Sequence, residues 1–363
     1  MQRLNQNHLP LVCPRCKSTL QHSEETLTCH DCGKDWQVKD DVPQFSEEDI
    51  YWGEVSKELM QSIVQEAQNS NWLNAINALL KPVNPRIYDY VTDSTRADWR
   101  FPITLDKSKT ALDLGAGWGL LTSELAKICG SVVALEKIPL RVEFMQTRFR
   151  QDDLKNVQII QGDFLNIPFP ENSFDCIVCN GVLEWVGLYD LGRKPREAQM
   201  FFLKNLERLL KPGGTLYIGI ENRFGYKQIL GTRDHSGIRF TSLIPRFLAN
   251  LVMRFSTKNK AFFLDNNIVP GYRTYTYTAR GYHKLLRECG FQTPDIYFVI
   301  PSYSHPRWLI PADNTDAFRF LFDRLFHPKT KTGRMLKKFV NMKLPGLPQR
   351  FFMGDFCIYA RKL

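Results

Sequence analysis

One segment constrains the fold of this 363-residue chain more than any other. Lys109-Thr110-Ala111-Leu112-Asp113-Leu114 is a short apolar run of strand character, and it passes directly into Gly115-Ala116-Gly117-Trp118-Gly119. Residues 120–127 then carry apolar side chains at helical spacing. Strand, glycine-rich turn and helix form an α/β unit in which the turn lets the backbone approach a ligand that a Cβ would block. The spacing, Asp-x-Gly-x-Gly-x-Gly, differs from the dinucleotide fingerprint G-x-G-x-x-G.

Four further segments repeat the α/β rhythm. Ser131-Val132-Val133-Ala134-Leu135-Glu136 reads as a second strand ending in an acid about 20 residues past the glycine loop, where ribose hydroxyls are gripped in such folds. Residues 157–164 read as a third strand that ends at Asp163, residues 174–180 as a fourth ending at Asn180, and residues 215–220 as a fifth after a Pro212-Gly213-Gly214 turn. A helix over 278–290 capped at Gly290, a strand over 295–300 and a last strand over 355–361 complete the series.

In this order the elements resemble a class I S-adenosylmethionine-dependent methyltransferase of the type 11 kind, with Asp113-x-Gly115-x-Gly117-x-Gly119 matching its motif I. The resemblance implies an α/β, Rossmann-like seven-stranded sheet spanning residues 98–363, interrupted by insertions at about 221–277 and 301–354. It implies S-adenosyl-L-methionine as cofactor, held by Asp113, Gly115, Gly117, Gly119, Glu136, Asp163 and Asn180, with Phe164 the apolar neighbour packing on the adenine. Asn180-Gly181-Val182-Leu183 lacks the paired prolines of amino N-methyltransferases of nucleic acid, which lowers the expectation of a base-amine acceptor.

Four of the nine cysteines form Cys13-Pro-Arg-Cys16 and, twelve residues on, Cys29-His-Asp-Cys32. Two CxxC knuckles at this separation converge on one tetrahedral Zn²⁺, and four thiolates leave no open position, so Cys13, Cys16, Cys29 and Cys32 are expected to hold a structural metal. The run from Trp36 to Phe45 alternates and stops at Pro43, like a ribbon's last strand. Residues 10–46 resemble the zinc ribbon at the front of several bacterial methyltransferases, and 47–97 read as a helical connector. The other five cysteines sit in apolar contexts and read as small buried hydrophobes.

Charge is unevenly spread. Residues 1–110 hold 12 Lys+Arg against 16 Asp+Glu, residues 111–222 hold 12 against 14, and residues 223–363 hold 24 against 8. The whole positive surplus therefore falls on the last third, which points to an anionic methyl acceptor or surface, or else to a solvated basic face. Phe240–Phe255 and Thr315–Phe326 place apolar residues beside arginines, and the basic cluster Lys329, Lys331, Arg334, Lys337 and Lys338 follows. These describe either an interfacial helix on an anionic leaflet or helices docked on the core. With no membrane-spanning window and no secretory leader pattern, the expected setting is cytoplasmic, with peripheral placement at the inner membrane face as its extension.

For chemistry, Asp234-His235 in a loop reads either as an oriented general base or as a polar turn, and Glu184 and Glu221 are alternative bases. Residues 217–246 resemble a bacterial methyltransferase subgroup associated with surface polysaccharides, which implies a hydroxyl of a glycan, nucleotide-sugar or lipid-linked glycan precursor as acceptor. RNA is the alternative acceptor, and a non-catalytic cofactor-binding scaffold is the alternative of another class.

Overall fold

The computed structural model describes residues 8–23, 25–46, 51–255, 271–325, 334 and 353–363. The chain divides into two compact units. Unit 1 comprises Met1–Cys179, Asn205–Leu216 and Lys362, and unit 2 comprises Asn180–Lys204, Tyr217–Arg361 and Leu363.

Unit 1 begins with a four-stranded antiparallel sheet in the order β1 (Gln21–His22), β2 (Thr26–Cys29), β3 (Lys34–Lys39) and β4 (Val42–Pro43). The run expected to be one final strand is thus a hairpin. Asp40 and Asp41 take positive φ (49° and 61°), the left-handed geometry that closes a two-residue turn, and Asp tolerates it better than most residues. This small sheet packs on the larger one: Phe45 N donates to Gln161 O at 2.7 Å, Val12 N donates to Pro168 O at 3.0 Å, and Val42 joins a buried cluster with Ala134, Val142, Met145 and Phe149. The connector holds α1 (Lys57–Asn69), α2 (Trp72–Ala75), a π-helical turn (Ile76–Leu80), α3 (Pro85–Thr92) and a 3₁₀ turn (Ser94–Arg100). Met60, Ile63, Val64 and Ala67 recur at helical spacing on α1 and are buried with Trp72, Trp118 and Phe144. Glu54 fixes the connector beside the glycine loop, accepting from Trp118 Nε1 at 3.1 Å and from Arg141 at 2.5 Å.

The α/β core follows as β5 (Thr110–Leu114), α4 (Leu120–Ile128), β6 (Ser131–Glu136), α5 (Pro139–Gln151), β7 (Val157–Gln161) and β8 (Phe174–Asn180). β5 pairs in parallel with β6 (Asp113 opposite Ala134) and with β8 (Leu112 opposite Ile177), and β6 pairs in parallel with β7. Ala111, Leu112, Val132, Val133 and Ala134 are buried in full, as expected of strands covered on both faces. β7 stops at Gln161, so Asp163 lies in the turn beyond it and not in the strand. At β7 the small sheet supplies the parallel bridge Gln44–Gln161, which covers backbone groups that an edge strand would otherwise expose. Short α6 (Val186–Tyr189) and the longer α7 (Pro195–Leu209) lead to β9 (Leu210–Glu221), whose first half beside β8 completes unit 1.

In unit 2 the second half of β9 is followed by α8 (Tyr226–Ile229), α9 (Arg246–Phe255), α10 (Ala279–Glu288), β10 (Asp295–Ser302), β11 (His305–Pro311), α11 (Thr315–Leu325) and β12 (Asp355–Arg361). The order β11-β10-β12-β9 is antiparallel at β10–β11 and β10–β12. β11, supplied by the second insertion, raises the expected seven strands to eight. Thr278 caps α10 through Gly281 N, and Gly290 (φ 98°) ends it in the left-handed turn the sequence anticipated. α11 docks on the sheet: Phe318 is buried with its ring 6.2 Å from Phe298. Phe322 and Leu325, apolar residues of the same Thr315–Phe326 run, have side chains outside the described residues, where Lys329, Lys331, Lys337 and Lys338 also fall. On α9 the apolar residues Phe247, Leu248, Leu251, Val252 and Phe255 are exposed, while Ala249 and Met253 face inward. Cys129, Cys176, Cys179, Cys289 and Cys357 are buried, in keeping with their reading as small hydrophobes.

Candidate active site

The glycine loop in unit 1 is held by its acidic neighbours. Gly115, Gly117 and Gly119 all have φ between 59° and 79°. At Gly119, which starts α4, a Cβ would come within 2.9 Å of Phe149 and Met145, so only glycine fits both the turn and the packing. Glu136, buried at the end of β6, accepts from Gly117 N at 2.8 Å through one oxygen and from Lys137 N and Ile138 N at 3.0 Å through the other. It therefore ties the second strand to the loop, and its oxygens keep lone pairs to offer a diol. Asp113 is buried at the end of β5 and accepts from Thr122 Oγ1 at 2.6 Å; burial raises its carboxyl to about 6. Asp163 accepts from Leu165 N at 2.8 Å and pairs with Lys137 at 3.4 Å, with half-buried Phe164 beside it. Five of the six acidic and glycine positions expected to hold a cofactor thus sit at the ends of β5 and β6 or in the glycine loop after β5, and Asp163 follows β7.

The four knuckle cysteines also converge. Cys13 Sγ lies 3.7 Å from Cys32 Sγ, and Cys16 Sγ lies 3.3 Å from Cys29 Sγ. Thiolates around one tetrahedral Zn²⁺, each about 2.3 Å from the metal, stand about 3.8 Å apart. The donors therefore fit a closed zinc site, and Gly33 (φ 66°) supplies the turn after the second knuckle.

In unit 2 three of the four residues weighed as bases meet. Glu184 lies in the turn between β8 and α6, Glu221 ends β9, and His235 sits in the loop after α8. His235 Nε2 is 3.1 Å from Glu221 Oε1 and 3.8 Å from Glu184 Oε1. The Trp185 and His235 rings pack at a steep angle with centroids 4.6 Å apart, and Tyr303 Oη donates to Glu221 Oε1 at 3.1 Å. Burial, then the charge of Glu221, pushes the Glu184 carboxyl up to about 8. For Glu221 burial works in the same direction, but His235 outweighs it and holds the carboxyl below its usual value. Burial disfavours the charged imidazole, yet the charge and hydrogen bond of Glu221 prevail and hold His235 up to about 9.

Asp234 departs from the expected Asp–His pairing. Its carboxylate accepts from Ser236 N at 2.8 Å and from Thr241 Oγ1 at 2.7 Å, closing its own turn, so the hydrogen-bonding partner of His235 is Glu221. Asn180 accepts from Tyr217 Oη at 3.3 Å. Tyr303 and Trp185 went unmarked in the sequence: Tyr303 lies in the second insertion, 82 residues from Glu221, and no local pattern announces that contact. Three arginines of the basic third are internally engaged, with Arg223 donating to Ser242 O and Ile244 O, Arg273 donating to Gly187 O, Asp190 O and Arg193 O, and Arg246 stacked on Tyr275 and Tyr277.

Residues 112–218 match the family model described as a methyltransferase domain. The chain is 30% identical over 155 residues to the demethylmenaquinone methyltransferase of Geobacillus sp. (strain WCH70), across 42% of this chain and 61% of that one. It is 42% identical over 76 residues to the "Probable ribosomal RNA small subunit methyltransferase A" of Thermococcus sibiricus (strain DSM 12597 / MM 739), across 21% of this chain and 26% of that one. It thus spans under two thirds of either relative. A solved SAM-dependent methyltransferase from Aquifex aeolicus aligns with 78% of this chain and 96% of its own at 15% identity and a TM-score of 0.39. The family match over residues 112–218 and the strand–loop–helix frame together describe a methyltransferase domain on a Rossmann-like α/β sheet. Among the described residues, no helix is long and apolar enough to cross a membrane.

Proposed function

We propose that this chain transfers the methyl group of S-adenosylmethionine to a hydroxyl, with Glu184, Glu221 and His235 forming the acceptor end. The observation that carries the hydroxyl reading is the half-buried carboxylate–imidazole pair Glu221–His235, since an alcohol must lose its proton to accept a methyl whereas an amine need not. The cofactor brings an electrophilic sulfonium methyl, and the protein's task is to position and desolvate it. In this reading Gly115, Gly117 and Gly119 let the backbone approach the methionine part, with Asp113 behind them. Glu136 takes the ribose hydroxyls, Asp163 and Phe164 the adenine, and Asn180 the end nearest the acceptor. Cys13, Cys16, Cys29 and Cys32 hold a structural Zn²⁺ that supplies folding energy to a segment too small to fold on apolar burial alone.

The acceptor class is a phosphorylated glycan precursor, supported by the surplus of 24 Lys+Arg over 8 Asp+Glu in residues 223–363. Peripheral contact with an anionic lipid surface belongs to the same reading, supported by the exposed apolar stripe of α9 with Arg254 exposed beside it. RNA is the second reading, favoured by the rRNA methyltransferase relatives and the same surplus. Transfer of labelled methyl groups into a lipid-linked glycan extract, with none into total RNA, is the expected result. Label in RNA alone selects the second reading, and label in neither fraction contradicts both.

A further inference from the structure

The Glu184–Glu221–His235 cluster holds carboxyl oxygens that the surrounding residues do not answer. Glu184 is fully buried and neither of its carboxylate oxygens has a hydrogen-bond partner; Glu221 Oε2 is buried and unpartnered as well. Burial of this kind disfavours the ionised carboxylates, and a bound cation would restore them. Among the described residues, the only cationic side chain within ion-pair distance of either carboxylate is His235. Where Glu136, at the end of β6, has a backbone donor for each oxygen, Glu184 has none.

We propose that Glu184, Glu221 and His235 bind one divalent cation of the Mg²⁺ and Mn²⁺ class; the inference rests on the reading of this cluster as the acceptor end. One ligand atom from each side chain lies within 4.8 Å of the others. Adjacent donors around an octahedral ion of this class, each about 2.1 Å from the metal, stand about 3.0 Å apart. The 3.1 Å from His235 to Glu221 already meets that value, and the 3.8 Å from His235 to Glu184 needs a closure of under about 1 Å. Two carboxylates and one imidazole form a hard, oxygen-rich set, distinct from the four thiolates of the knuckles.

The supporting contacts suit ligands more than a chance pair. The hydrogen bond from Tyr303 Oη fixes the Glu221 carboxylate, and the Trp185 ring packed against the imidazole restrains its plane. The side chains of His235 and Glu221 keep 25% and 16% of their surface open while Glu184 has none, so the cluster is closed behind and open in front. An ion there keeps free positions on the open side, where a hydroxyl oxygen of the acceptor can join the coordination sphere.

The test uses full-length protein stripped of adventitious metal and resupplied with one equivalent of Zn²⁺. It is titrated with Mn²⁺ followed by electron paramagnetic resonance, with S-adenosylmethionine calorimetry on the same preparations. One Mn²⁺ per chain is expected, with affinity falling at least tenfold in each of Glu184→Gln, Glu221→Gln and His235→Gln. Retained cofactor affinity in these variants reports that they are folded. No saturable Mn²⁺ site in the wild type, or a site that all three variants keep, overturns the proposal. The acceptor reading fails separately: Mn²⁺ bound as expected, but methyl transfer to the active extract untouched by His235→Ala, keeps the cation and removes the assigned role.

Discussion

The glycine loop of unit 1 and the acidic cluster of unit 2 treat buried carboxylates in opposite ways. Glu136 accepts three backbone N–H groups and Asp113 a hydroxyl, so each is answered from within its own unit. Glu184 is buried as deeply with no hydrogen bond to either oxygen. A satisfied carboxylate rigidifies its surroundings, whereas an unsatisfied one raises the energy of the folded chain until a ligand relieves it. In the reading proposed above, the first arrangement is a preformed cradle for the cofactor and the second a site completed by a cation.

The contrast breaks most visibly at Glu136. Glu136→Ala removes a charged acceptor from three N–H groups, worth about 2–3 kcal/mol, and should weaken S-adenosylmethionine about 100-fold in calorimetry. An unchanged affinity would mean that the loop does not need its acid. His235→Ala is expected to lower methyl transfer by about 100-fold with cofactor affinity kept, because it acts at the other end. Equal loss of both would merge the two regions into one.

Stability separates them further. Replacing a buried, unpartnered carboxylate by an apolar side chain of similar volume is neutral or stabilising. Glu184→Met should therefore raise Tm by a few degrees in chelator-treated protein, and a fall of several degrees would show that Glu184 is satisfied after all. At Asp113 the effect is smaller and depends on pH. Its folded pKa of about 6 lies above the unfolded value of about 3.9. Protonation is therefore favoured in the folded state, and stability from this group falls as pH climbs from about 4 to about 6, then levels off. Asp113→Asn, which keeps the acceptor for Thr122, should gain Tm relative to wild type at pH 7.5 but not at pH 4. A gap independent of pH would contradict that account.

The sequence made the cradle legible and the cluster only partly so, for a physical reason. Strand periodicity and turn chemistry are local, so β6 and β8 fall at their expected bounds, and Gly290 ends α10 where left-handed geometry was anticipated. Asp40 and Asp41 misled because a two-residue turn inside an alternating run leaves the alternation nearly intact. The eighth strand was missed because β11 carries Pro306 and Pro311 within its own seven residues, and proline inside a run argues against a strand. At the cluster, Glu184, Glu221 and His235 were each nameable as acids and bases. Their convergence depends on three separate connections, and the adjacent Asp234–His235 pair suggested a partner that the turn had already claimed.

The most direct test of two separately built sites is a single set of calorimetric titrations with S-adenosylmethionine on wild type, Glu136→Ala and Glu184→Gln. The account predicts one cofactor per chain for wild type, the same affinity within about twofold for Glu184→Gln, and an affinity about 100-fold weaker for Glu136→Ala. No binding by wild type, or a loss in Glu184→Gln as large as that in Glu136→Ala, would contradict it.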